Sequence, residues 1–90
     1  MTDDTHQAVF DRLAALREAL RGDPSSDAAQ ALYQCDRLEQ ALHHWHAEAI
    51  RFAAYTIHHL ATKPEAGMGD AVRQRVAELR TDLAGAGHSF

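Results

Sequence analysis

Glu39-Gln40-Ala41-Leu42-His43-His44-Trp45-His46-Ala47-Glu48 is the stretch on which the reading of the chain turns. It lies at the centre of the longest segment free of helix breakers, and it holds three of the seven histidines and the single tryptophan. Ser25, Ser26 and Asp27 offer capping side chains before it, and neither glycine nor proline follows until Pro64. Across this span Ala28, Ala31, Cys35, Leu38, Leu42, Trp45, Ala49, Phe52, Thr56 and His59 recur at spacings of three and four. The pattern predicts one helix over 27–62, roughly 35 residues or about 50 Å long. A sustained heptad of this kind packs helix on helix. Beside it runs a second stripe of Leu32, Glu39, His43, His46, Ile50, Ala53, Ile57 and Leu60, apolar in its C-terminal half and polar from Glu39 to His46.

Working outward, Val9, Phe10, Leu13, Leu16 and Leu20 share one face of a helix expected over 5–21. Arg17 and Arg21 suit its negative end, and Gly22 with Pro24 stops it. After Pro64, Gly67 and Gly69, Asp70 can cap a last helix over 70–84. Met68, Val72, Val76, Leu79 and Leu83 form its apolar edge, and Gly85 and Gly87 end it. The expected fold class is therefore all-α, a single domain over 1–90 with three helices in the order short, long, short. Short loops make successive helices antiparallel neighbours. Each outer helix would run back along half of the long one, bringing His6 and His88 level with His43.

Such a pair of hairpins leaves an apolar flank uncovered in each half. Two chains laid together would close a helical bundle, most simply as an antiparallel homodimer. Its two-fold axis would pass near His44 and Trp45, with Leu38, Leu42, Trp45, Ala49 and Phe52 at the interface. The competing arrangement is a compact monomer with the two short helices side by side on the long one.

Composition narrows the functions. A formal charge of −4 argues against a nucleic-acid partner, which calls for a basic face. No apolar run approaches a membrane span. The lone Cys35 rules out an internal disulfide, and the absence of a signal-like apolar start points to a cytoplasmic setting. Protonating all seven histidines would carry the formal charge from −4 to +3, so a pH-responsive assembly is one expectation.

The sharpest chemical candidate is a divalent transition-metal site. His43 and His46 share a helix face with Glu39 one turn earlier, and His6, Asp3, His88 or a symmetry mate could complete the ligand set. Polar residues flanking a bundle seam are more often met by water and neighbouring side chains. His-Glu-x-x-His, paired cysteines and the Glu-x-x-His pairs of di-iron bundles are absent. His46-Ala47-Glu48 matches only a fragment of a deaminase signature, without its Pro-Cys-x-x-Cys. His44 and Glu48 read as a solvent-facing pair, and His58 and His59 as groups suited to a helix C-terminus. Cys35 reads as a small buried hydrophobe. With no nucleophile elbow, phosphate loop or dinucleotide fingerprint, the expectation is a non-enzymatic helical module. It would act through protein–protein contacts as an adaptor or regulator, requiring no cofactor. A metal-binding or metal-sensing bundle is the alternative.

Overall fold

Four apolar stripes of nearly equal length build the fold. The computed structural model describes residues 3–44, 46–63 and 67–88. Its helices are α1 (Asp3–Arg21), α2 (Ala28–His44), α3 (Ala47–Thr62) and α4 (Asp70–Gly85). Val9, Leu13, Leu16 and Leu20 of α1 are buried at spacings of four, three and four. Ala31, Cys35, Leu38 and Leu42 of α2 repeat that spacing, as do Val72, Val76, Leu79 and Leu83 of α4. On α3 the buried stripe is wider, with Ile50, Ala53, Ala54, Ile57, Leu60 and Ala61. A stripe of this width on each helix covers the angle needed to meet two neighbours. Accordingly α1 packs on α2 and α4, and α3 packs on α2 and α4, closing a ring of antiparallel neighbours.

The single helix expected over 27–62 is two helices. α2 ends at His44, and His46 takes an extended conformation (φ −84°, ψ 98°) as the N-cap of α3. The His46 N–H donates to the Ala41 carbonyl at 3.2 Å, and the Ile50 N–H donates to the His46 carbonyl at 2.9 Å. One bond closes α2 and the other starts α3. The physical cause is a lapse in the buried stripe. Between Leu42 and Ile50 no aliphatic side chain larger than alanine occurs, and His43, His44, His46, Ala47, Glu48 and Ala49 are all exposed. Eight residues of continuous helix would also set Ile50 about 80° around the axis from Leu42. A straight helix thus cannot bury Leu42 and Ile50 along one narrow seam. Folding back at the tip lets α2 and α3 bury each against the other's stripe.

Closure of the apolar flanks also differs from the expectation of a dimer. The stripes that lacked cover in the extended form are covered by helices of the same chain, and the bundle measures 38 × 20 × 18 Å. The two outer helices lie side by side, as in the compact alternative, but the central segment folds back instead of overhanging them. At the end away from the tip, Asp23 ties two loops together. Its carboxylate accepts from the Ser25 N–H at 2.8 Å and from the Gly69 N–H at 2.9 Å, just before α4. Lys63 pairs with Asp27 at 3.1 Å across the same end. α4 finishes in a Schellman turn. The His88 N–H reaches the Leu83 carbonyl at 2.8 Å, and Gly87 supplies the positive φ of 93° that the turn requires.

Candidate functional site: the outer face of the α2–α3 hairpin

The metal set read from the sequence meets competition within the fold. Glu39 is claimed by α1: its carboxylate lies 2.5 Å from the Arg17 guanidinium, which also reaches Asp36 at 2.9 Å. That Arg17 contact, with a smaller share from His43, holds the Glu39 carboxyl below the usual carboxylate range. The His43 Nε2 lies 3.6 Å from the other Glu39 oxygen, and its ring sits 5.1 Å from that of Phe10. His43 therefore leans toward α1. His46 lies instead beside His44, with ring centroids 6.2 Å apart. The break between α2 and α3 thus separates His46 from the Glu39–His43 pair. Among the described residues, no group of three or more histidine, cysteine, aspartate or glutamate side chains is gathered to hold a metal ion. The side chains of Asp3 and His6 lie outside the described ones.

The five residues expected at a dimer interface also part company. Leu38 and Leu42 are sealed inside the bundle at 0 % and 1 % exposure, so they are unavailable to a second chain in this form. Trp45 lies outside the described residues. Ala49 and Phe52 face solvent. Cys35 sits in the core, where burial pushes its thiol up to about 12.

Phe52, which the heptad pattern turns inward, lies on the surface instead, and it is not the only aromatic group there. Among the described residues, the large hydrophobic side chains left exposed are Tyr33 at 57 %, Phe52 at 64 % and Tyr55 at 55 %. All three belong to the α2–α3 hairpin. Phe52 and Tyr55 lie opposite Ile50, Ala54 and Ile57 on α3, so burying one set exposes the other. Tyr55 stacks on His59 with centroids 6.1 Å apart and planes 16° from parallel. On α2, the Arg37 guanidinium lies 5.9 Å from the Tyr33 ring centroid and donates to its hydroxyl at 3.3 Å. Arg37, Gln40, Ala41 and His44 of α2, with His46 and Ala49, line a shallow groove of about 230 Å³ between the helices near the tip. The face can bury aromatic area and form hydrogen bonds at its edges, which is the chemistry of a protein contact surface.

A chain whose described residues form an all-α, four-helix bundle is thereby defined. No protein-family model, curated protein or solved structure matches it. None of the helices among the described residues is long and apolar enough to cross a membrane.

Proposed function

We propose that the protein is a small non-enzymatic interaction module that self-associates and meets other proteins through the outer face of the α2–α3 hairpin. The observation that carries this reading is the concentration of Tyr33, Phe52 and Tyr55 on one hairpin, each more than half exposed. Apolar residues scattered singly over a surface call for no explanation, but several large exposed aromatic groups on one helical hairpin favour binding. The histidines at the tip add polar groups to its rim. Size-exclusion chromatography with light scattering tests the reading. The expected result is a concentration-dependent rise above the 9.9 kDa of one chain. A constant monomer mass throughout the micromolar range would overturn it.

One observation favours a second reading, a histidine metal clip. His44 and His46 lie beside each other and line the same groove. Two imidazoles at the tip, rather than His43 with Glu39, would then be the protein's ligands, with water completing the sphere. Calorimetric titration with Zn²⁺ checks this: the heat of binding should vanish in a His44→Ala/His46→Ala chain and persist in His43→Ala.

A further inference from the structure

The exposed stripe of α3 reads Glu48, Phe52, Tyr55, His59, spaced four, three and four residues apart. Reversed, the spacing is the same. An antiparallel copy of the helix laid on it would set Phe52 of one protomer on Tyr55 of the other and Glu48 opposite His59. The exposed stripe of α2 has the same form, with Tyr33, Arg37, Gln40 and His44. Reversed on itself, it sets the Arg37 guanidinium against the Gln40 amide and the Tyr33 ring against the His44 imidazole. Both pairings are chemically favourable, a donor with an amide acceptor and one flat ring with another.

The centres of the two stripes fall at residues 38–39 and 53–54. Each is about six residues from the end of its helix at the tip, so the centres lie level along the bundle to within about one residue rise. A single axis crossing the hairpin at that level satisfies both stripes. We infer that two copies of this chain pack the outer faces of their α2–α3 hairpins together, antiparallel, about this two-fold axis.

The inference rests on the self-association proposed above and gives it a register. The axis runs through the waist of the bundle and not through the histidine tip. A parallel two-fold would instead lay each α3 on the partner's α2 and leave the reversed pairings of both stripes unmade. In the antiparallel one, the positive end of each α3 dipole also lies beside the negative end of its partner. Around the aromatic centre the exposed side chains Asp36, Arg37, Glu48 and Arg51 mix both signs, so neither copy presents a single-sign field to the other. Tyr55, already stacked on His59, loses little side-chain freedom on docking.

Disulfide trapping tests the register. Phe52→Cys and Tyr55→Cys chains are mixed and oxidised, and the products are separated by mass. Cys35 is fully buried and does not compete. The expected product is chiefly the mixed dimer joining residues 52 and 55, with little self-linking of either variant. Dominant self-linking of Phe52→Cys would overturn the antiparallel register while leaving self-association standing. A wild-type chain that stays monomeric gives this face to a different protein and overturns both. A Phe52→Glu chain should dimerise at least about 100-fold more weakly, since a central aromatic contact is lost twice. Its circular dichroism and melting at monomeric concentration should be unchanged, because residue 52 is outside the core. Glu48→Lys should weaken the dimer roughly two- to fivefold, in the range of a rim ion pair, and adding His59→Glu should restore it. Failure of the second change to restore association would count against the Glu48–His59 pairing.

Discussion

At the residue scale, Asp23 and His58 show how single groups set the stability of the bundle against pH. Asp23 accepts backbone N–H groups from Gly69 and Ser25, and those bonds hold its carboxyl below its ordinary 3.8. A depressed carboxyl stabilises the fold above its unfolded value and loses that contribution as the pH falls through its folded one. Asp23→Ala should therefore cost about 1–2 kcal/mol at neutral pH, since two backbone donors lose a charged acceptor. The difference from wild type should shrink below about pH 4. Urea denaturation at pH 7 and pH 3 measures both. His58, half-buried on α3, is also lowered from its ordinary 6.5, first by burial and then by Arg80 and His59. Its sign is the same: the folded chain prefers the neutral ring, and stability drains as the pH falls from 6.5 toward the depressed value. Melting temperature should begin to fall as the pH drops below 6.5, and fall again when the carboxylates titrate. In His58→Gln the first step should be smaller than in wild type.

At the element scale, the break between α2 and α3 is where sequence and structure part. The outer helices were legible: a helix expected over 5–21 is Asp3–Arg21, and one expected over 70–84 is Asp70–Gly85. Glycine and proline punctuate both, and their apolar stripes are unbroken. The hairpin carries no such punctuation. The signal was present in another form, as seven residues after Leu42 without an aliphatic side chain larger than alanine, read as a polar interruption in a continuing helix. A continuing heptad places Phe52 on the packed stripe, and Ile50 and Ile57 on a secondary one. The structure buries the second set and exposes the first. The Glu39–His43 pair was readable from its spacing of four, but the claim of Arg17 on Glu39 depends on tertiary packing that local spacing does not carry. His46 offers a test of opposite signs. It is the N-cap of α3 and makes no side-chain cap hydrogen bond. His46→Asp should stabilise the chain by about 0.5–1 kcal/mol, because aspartate is among the best N-caps. Inside a continuous helix it would be neutral or worse, since aspartate ranks low there. A raised denaturation midpoint with unchanged helicity supports the hairpin.

At the scale of the whole molecule, the closed bundle and the extended dimer are related arrangements of one set of helices. In both, α2 and α3 bury their stripes against α1 and α4, and the difference is whether the covering helices belong to the same chain. Exchange of this kind is domain swapping, and a hinge free of glycine and proline makes a continuous α2–α3 helix conformationally accessible. The two forms respond differently to dilution. An extended dimer shares its core between chains, so dissociation exposes that core and melting depends strongly on concentration. The closed bundle keeps Leu38, Leu42, Ile50 and Ile57 buried within one chain. Two copies joined only through Phe52, Tyr55 and their neighbours should separate on dilution with the helical signal at 222 nm intact. Light scattering and circular dichroism across the same dilution series provide the measurement. Mass falling to 9.9 kDa with constant ellipticity is the expected outcome. Parallel loss of mass and helix would instead place the core between chains.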